Sequence, residues 1–364
     1  MVTKQRLVVV GPGLMGVKHI ELILNNPRCE LAAVVAPERD DPGGRRLSVP
    51  VFHDLDTCLS GIAPAGVIIS SPNEFHYEQA CLCVERDVPV LVEKPITSSY
   101  ETAERLVDLI ARRGAKALVG HHRAHSPLIA TAKAVIEQGA LGRLVAVQGS
   151  AAFYKPPEYF EAGPWRREPG GGPILINLIH EIGILRTLCG EISAVQAIAS
   201  NAMRGFAVED SVVINLQFQN GALGTFVLTD TGASPRSWEQ TSRENPVYPT
   251  YPDEDCYSLT GTLGSLDFPT MRLKSHPAGQ APSWHTPFVE TVIPVVRQDP
   301  LARQLENFLD VILGLAEPVV TAFDGAENVK VAEAIRRSAE TKRLIELGSP
   351  RVAEVLARGP AADG

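Results

Sequence analysis

The pattern of apolar positions changes character near residue 122. Before it, short unbroken apolar runs recur: Leu7–Val10, Glu30–Val35, Ala65–Ser70, Pro89–Val92 and Ala117–Gly120, with a shorter candidate at Val49–Phe52. An unbroken run of this length marks a strand covered on both faces. The stretches between them carry helical periodicity. Ile20, Leu22, Ile23 and Leu24 follow the first run, and a helix opens at Glu74-Phe75-His76 and continues to about Arg86. Another spans Ser98–Arg113, with Ser98 or Ser99 as its cap and Leu106, Leu109 and Ile110 as its stripe. Strands alternating with helices predict a parallel, doubly wound α/β sheet over residues 1–122.

Beyond that point the pattern reads as α+β. Pro127–Gln138 is helical and closed by Gly139, and Leu144–Tyr154 is a long strand. Lys155–Gly172 is a loop, and a helix starts at Pro173 and runs to about Cys189. Val212, Ile214, Leu216 and Phe218 then alternate with polar or smaller neighbours, and Asn220-Gly221 predicts a hairpin to Leu223–Thr229. Tyr257–Thr260 and Leu266–Phe268 add strands, and Pro235–Asp255 reads as loop. Two amphipathic helices follow: Leu301, Leu305, Phe308, Leu309 and Ile312 stripe one, and Asp324 with Glu327 offers a capping box for the other. The expectation is a second domain over 123–357 built on a large, mostly antiparallel sheet, with a flexible tail at 358–364. Its broad open sheet is the expected interface of a homodimer or homotetramer.

Composition narrows the class. The 364 residues are 45% apolar and 21% charged, with a net charge of −8, which argues against nucleic-acid binding. No apolar run is long enough to span a membrane. Met1-Val2-Thr3-Lys4-Gln5-Arg6 has no signal-peptide core. Six scattered cysteines, with Cys81 and Cys83 as a lone C-x-C, suit reduced thiols in a cytoplasmic protein and supply no zinc set.

The first strand runs into Gly11-x-Gly13-x-x-Gly16, the dinucleotide fingerprint. The first glycine permits the turn, the second lets backbone approach a pyrophosphate, and the third lets the helix pack on the strand. The amides of Leu14, Met15 and Gly16 then face the anion. This defines a Rossmann cofactor domain. Ala36, twenty residues after Gly16, stands where an acid often binds the ribose 2′-hydroxyl. Its absence, with Arg39 nearby to pair a 2′-phosphate, leans from NAD towards NADP; Glu38 is the opposing reading. Ser71, Pro72 and Asn73, with His76 just beyond, follow a strand's carboxyl end and are therefore expected at the cofactor.

Glu93-Lys94-Pro95 closes the fifth strand, and Gly170-Gly171-Gly172 precedes His180 by the spacing G-G-G-x7-H. Together with the glycine fingerprint, these motifs resemble the glucose–fructose oxidoreductase / inositol dehydrogenase (Gfo/Idh/MocA) family over essentially the whole chain. The resemblance implies an NAD(P)-dependent oxidoreductase acting on a secondary alcohol of a sugar, cyclitol or related polyol, and a cis bond before Pro95. It also implies an Asp four residues before His180, where this chain has Ile176 followed by Asn177.

The chemistry of the residues agrees. Lys94 at a strand's carboxyl end suits stabilising the alkoxide that develops as hydride leaves carbon. Glu93 either orients Lys94 or is a structural carboxylate at a strand end, and Glu93 and Lys94 are both expected at the cofactor. His180 is the candidate proton acceptor, sharing a helical face with Ile176, and Asn177 is a candidate to position the substrate. Glu181 is expected to cap the helix or face solvent. His122 and Arg123 are candidates for substrate contact, against interdomain packing. His121, His122 and His125 do not predict a metal site, because neighbours on extended chain point to opposite sides. Trp165 is read either as a face for a sugar ring or as core. Two other functions stay open: a non-catalytic dinucleotide sensor, and a dehydrogenase for a cyclic dihydrodiol or imine.

Overall fold

A computed structural model describes residues 4–36, 48–277 and 279–348. The first part of the chain runs β1 (Gln5–Val10), α1 (Leu14–Leu24), β2 (Cys29–Val35), β3 (Val51–Phe52), α2 (Leu55–Ile62), β4 (Gly66–Ile69), α3 (Asn73–Glu85), β5 (Val90–Glu93), α4 (Tyr100–Arg113) and β6 (Ala117–Gly120). It continues with α5 (Pro127–Glu137), β7 (Leu144–Ala152), α6 (Pro157–Glu161), α7 (Ile179–Cys189), β8 (Ile192–Ser200), β9 (Ser211–Phe218), β10 (Leu223–Thr229) and α8 (Trp238–Thr241). The last part is β11 (Tyr257–Gly261), β12 (Gly264–Phe268), β13 (Arg272–Ser275), β14 (Val289–Val292), α9 (Pro300–Ile312), α10 (Ala322–Thr341) and β15 (Ile345–Glu346).

The chain divides into two units. Among the described residues, the first takes those through His122 and, from much later in the sequence, Leu301–Lys330; the second takes Arg123–Pro300 and the stretch from Val331 to residue 348. The contiguous division expected from the sequence is corrected here, because α9 belongs with the first unit. The cause is its apolar stripe: Leu305, Phe308 and Leu309 are buried in one cluster with Leu7, Val9, Ile68 and Leu118 of the sheet. Gly66 has no Cβ where Phe308 and Ile312 press against β4; an added Cβ would lie 2.7 Å from Ile312 Cδ1. Polar contacts fix the same helix. Arg28 donates to Asp310 at 2.6 Å and also pairs with Glu306.

The sheet of the first unit has strand order β3-β2-β1-β4-β5-β6, parallel throughout. This is the dinucleotide-binding order, with its switch point between β1 and β4. Leu7, Val8, Val9 and Val10 are at most 1% exposed, as strands covered on both faces must be. Helix α4 is capped by Ser99, whose hydroxyl accepts from Thr102 N, and it ends at Gly114 in the left-handed conformation (φ 59°). The capping box of α10 sits three residues earlier than the sequence suggests: Thr321 Oγ1 accepts from Asp324 N at 3.1 Å, and Asp324 accepts from Thr321 N at 3.1 Å.

The second unit is built on a nine-stranded sheet ordered β14-β13-β12-β11-β7-β10-β9-β8-β15. Its pairings are antiparallel except for β7 with β10, as the alternating pattern predicts. Buried residues of α5 and α7 join one sheet face in a single core that includes Leu128, Ile182, Leu185, Val212, Ile214 and Phe226. The other face keeps apolar side chains exposed: Ile198 at 70%, Val213 at 48% and Val227 at 43%. These three are register neighbours, Val227 opposite Val213 and Val213 opposite Ile198. Among the described residues no helix is long and apolar enough to cross a membrane.

Candidate active site

In the first unit the three fingerprint glycines differ in what surrounds them. Gly11 has φ 78°, and a Cβ there would lie 2.5 Å from the Ser71 backbone. A Cβ on Gly16 would lie 2.2 Å from the Gly11 carbonyl oxygen. At Gly13 an added Cβ meets nothing within 4 Å. Two glycines are thus required by the protein's own packing, and the middle one faces open space at the start of α1. That is the division of labour a pyrophosphate cradle needs. Leu14 and Met15 open α1 behind it, Leu14 exposed and Met15 half-buried. Their amides belong to the helix's first turn, whose N–H groups have no partner within the helix and favour an anion. The residues present fit a dinucleotide.

The β4 loop is tied to this turn. Ser70 Oγ donates to the carbonyls of Val10 and Gly11, each at 2.9 Å. Ser71 donates its hydroxyl to Gln79 at 2.6 Å, and Pro72 and Asn73 are exposed where α3 begins. His76 corrects its sequence assignment as a cofactor ligand. It is 1% exposed, with Nδ1 2.8 Å from the Pro95 carbonyl and Nε2 2.9 Å from the Ser71 carbonyl. Burial lowers its pKa against the pull of those carbonyls. It is a clamp between the β4 loop and the Glu93-Lys94-Pro95 turn.

Glu93 is a second clamp. It is 4% exposed, and its Oε1 lies 2.8 Å from Nε2 of His19 on α1, while Oε2 accepts from the Lys94 amide at 3.3 Å. Gly120 on the neighbouring strand leaves room for this carboxyl, since a Cβ there would lie 2.8 Å from Glu93 Cδ. His19 is a residue sequence reading missed; a lone polar side chain on the apolar face of α1 was its signal. Lys94 follows Glu93 at the carboxyl end of β5, half-buried, and its bond to Pro95 is cis. Ala36 is buried at the end of β2, with its amide donating to Phe52 O at 2.8 Å. Arg39 and Glu38 lie outside the described residues. His122 opens a 3-10 turn, His122–His125, so the extended geometry assumed for the histidines holds only to His121, which lies 3.2 Å from Asn328. Among the described residues no group of three or more His, Cys, Asp or Glu side chains is arranged for a metal ion.

In the second unit the helix expected from Pro173 is split. Ile174–Leu178 forms a π-helical turn, and the α-helix begins at Ile179. The wider π turn replaces the single regular α-helix expected ahead of His180. Asn177 Oδ1 accepts from Lys155 Nζ at 2.7 Å. His180 stands in the first turn of α7, 7% exposed. The glycines before it make room for packing. A Cβ on Gly171 would meet the Trp165 carbonyl at 2.2 Å, and one on Gly172 would meet Glu209 Oε1 at 2.4 Å. Glu209 in turn accepts from the Ile174 amide at 2.9 Å, and burial raises its pKa.

Glu181 neither caps nor faces solvent. It is 1% exposed and accepts from Arg123 and from the Tyr257 hydroxyl. Arg123 also donates to Glu239 at 3.0 Å. Burial alone would lower the Arg123 pKa, but the two carboxylates raise it above its ordinary value. Its two terminal nitrogens are therefore spent inside the unit, which overturns its reading as a group presented to substrate. Trp165 is 55% exposed on a 3-10 turn (Pro164–Arg167), so it is not core.

Lys155, also missed, is 9% exposed. Burial pushes its pKa down to about 8, with Asp230 opposing and Arg166 and Arg204 adding to the fall. A lysine depressed in the folded state costs stability below that pKa, and the cost disappears as pH rises from about 8 towards the unfolded value of 10.5.

A glycine cradle at the switch point of a parallel sheet, with a lysine at the carboxyl end of β5, defines a dinucleotide-binding oxidoreductase. Comparison with known proteins makes this specific. Residues 5–121 match the model of the oxidoreductase family NAD-binding Rossmann fold, and residues 129–267 match the GFO/IDH/MocA C-terminal domain. The chain belongs to the Gfo/Idh/MocA family of NAD(P)-dependent dehydrogenases and reductases. It is 26% identical over 286 residues to a 1,5-anhydro-D-fructose reductase of Ensifer adhaerens, covering 77% of this chain and 79% of that one. It is 25% identical over 364 residues to the scyllo-inositol 2-dehydrogenase (NAD(+)) of Bacillus subtilis, covering 95% and 97%. Its fold resembles that of an oxidoreductase from Agrobacterium radiobacter solved with NAD+, L-tartaric acid and magnesium. The TM-score is 0.78 at 18% identity, over 95% of this chain and 99% of that one.

Proposed function

We propose that this protein transfers hydride between a nicotinamide dinucleotide and a secondary alcohol or ketone of a sugar, cyclitol or related polyol. The observation that carries the reading is Lys94 at the carboxyl end of β5, set between the His19–Glu93 pair and the Pro95–His76 contact. The bound nicotinamide supplies the hydride acceptor or donor. Gly11 to Gly16 hold its pyrophosphate, with Ser71, Pro72 and Asn73 beside it. Lys94 donates a hydrogen bond to the substrate oxygen and stabilises its alkoxide character, and His180 takes or returns the hydroxyl proton. His122 and Trp165 contact the substrate. Ala36 brings no carboxylate to a 2′-phosphate, so NADP is preferred over NAD. The test is a panel of sugars, cyclitols, dihydrodiols and their keto forms, followed by nicotinamide absorbance with both dinucleotides. Turnover of a polyol, faster with NADP, is the expected result. Cofactor binding without turnover across the panel would instead favour a sensor, the reading that Ile176 in place of an acid supports.

The exposed face of the nine-stranded sheet is proposed as the contact with a second copy of the chain, for Ile198, Val213 and Val227 form one apolar row across it. Val213→Asp is expected to convert a dimer or tetramer into monomer in sedimentation velocity. A wild-type protein that is already monomeric would overturn the assignment.

A further inference from the structure

Positive charge is unevenly balanced in the second unit where the chain leaves β7. Lys155 is nine-tenths buried, yet its nearest polar partner is neutral: Nζ donates to Asn177 Oδ1 at 2.7 Å. Asp230 is the carboxylate beside it, with Oδ2 3.5 Å away, and Asp230 is shared, because Arg204 Nε donates to its Oδ1 at 2.9 Å. A third cation stands close by. Arg166 lies with Cζ 3.9 Å from the centre of the Tyr159 ring, the same ring that Lys155 Nζ approaches to 4.8 Å. Among the described residues Arg166 donates to the Tyr159 carbonyl and packs on aromatic rings, with no carboxylate partner. Lys155 and Arg204 therefore share Asp230, Asp210 is taken up by the Arg204 amide at 3.0 Å, and Arg166 meets Lys155 at the Tyr159 ring without a carboxylate of its own.

A buried ammonium is stable only when its three donors and its charge are met. Here two acceptors are present, one of them distant, and the neighbouring guanidiniums add repulsion rather than relief. A purely structural position would be served better by an apolar side chain. Such a deficit is what a site for a charged ligand shows before the ligand arrives, and its sign states the ligand's charge. Arg166 is half-buried on the turn that carries the exposed Trp165, so the cluster has a solvent side. Arg166 offers a planar fork, and Lys155 offers a point charge behind it.

We infer that Lys155, Arg166 and the Tyr159 ring form a subsite for an oxyanion, and that the substrate carries a carboxylate or phosphate besides its oxidisable hydroxyl. This rests on the dehydrogenase reading above and deepens it to an acidic sugar or polyol. Lys155 is a binding residue in this account, and Asn177 positions it.

The test is calorimetric titration of the NADH-saturated protein with matched probes in the gluco, galacto and manno configurations: each hexose, its hexuronate and its 6-phosphate. At pH 7 at least one acidic probe is expected to bind ten or more times tighter than its neutral partner. Preference for the uronate or for the phosphate separates the two anion sources. The advantage is expected to shrink as pH rises through the Lys155 transition, and to be lost in Lys155→Gln at every pH. Lys155→Arg should restore part of it. Arg166→Gln, on a turn and away from the core, should lower acidic-probe affinity at least fivefold with an unchanged thermal midpoint, which covers the case in which Lys155→Gln fails to fold. Equal binding of acidic and neutral probes in every configuration overturns the subsite, as does an anion preference indifferent to both variants. NADH affinity and Lys94-dependent turnover are read separately. Turnover of neutral polyols without anion preference rejects the subsite alone. Lys155-dependent anion binding without any turnover rejects the dehydrogenase reading alone.

Discussion

Lys94→Ala is expected to lower kcat/KM by about a thousandfold, while the dissociation constant of the dinucleotide changes by less than about twofold. The split follows from where the side chain stands. Lys94 leaves the carboxyl end of β5, and its backbone is fixed from two sides: its amide donates to Glu93, and the Pro95 carbonyl meets His76. Removing the ammonium leaves both clamps in place, so the cofactor cradle at Gly11–Gly16 keeps its shape. What is lost is a donor whose bond strengthens as the substrate oxygen gains charge, and such a loss falls on kcat and kcat/KM together. Lys94→Arg is expected to recover little, because a planar fork does not reproduce a point charge at one oxygen. Steady-state kinetics with dinucleotide binding followed by fluorescence decides the matter. An alanine variant with near-wild-type turnover would remove Lys94 from the chemistry.

Gly13→Ala is expected to weaken dinucleotide binding by about ten- to a hundredfold, or about 1.4–2.7 kcal/mol, with stability changed by less than about 1 kcal/mol. Gly16→Ala should lose both binding and stability. The contrast comes from the surroundings. The new methyl at Gly13 meets no protein atom within 4 Å and occupies only the space a pyrophosphate would enter. Its backbone, at φ −75° and ψ −160°, accepts an alanine. At Gly16 the methyl would sit 2.2 Å from the Gly11 carbonyl oxygen, so α1 must back away from β1. Paired thermal melts and titrations check both. A Gly13→Ala protein that binds as wild type would mean the phosphate does not approach there.

Features written in short stretches of chain were legible in the sequence. Four successive apolar residues in β1, three of them valines and closed by a glycine turn, read as a strand covered on both faces, and Gly11, Gly13 and Gly16 follow at the spacing the turn demands. The same holds for the β9–β10 hairpin, whose alternation and Asn220-Gly221 turn agree. What stayed hidden depends on partners far along the chain. The stripe of α9 showed that it buries one face, but not that the face meets Leu7 and Leu118 rather than the nearer sheet. Glu181 sits among apolar neighbours, and its carboxylate gave no sign that Arg123 and Tyr257 would close on it. The π turn at Ile174–Leu178 inserts a phase shift that a 3.6-residue template cannot register. Lys155 looked like an ordinary loop lysine, because burial and the approach of Asn177 and Asp230 are properties of the folded unit.

The return of α9 to the first unit bears on how the chain is made. Its sheet is written in the first third of the sequence, but the helix that shields Leu7, Val9 and Leu118 arrives only after residue 300. During synthesis the early strands must wait, apolar face uncovered, while eight of the nine strands of the second sheet are translated. That interval favours chaperone engagement and makes the nascent N-terminal half prone to aggregate. A gene fragment cut at His122 inherits the same exposure permanently, so the cofactor-binding half is not a module to be expressed without residues 301–330.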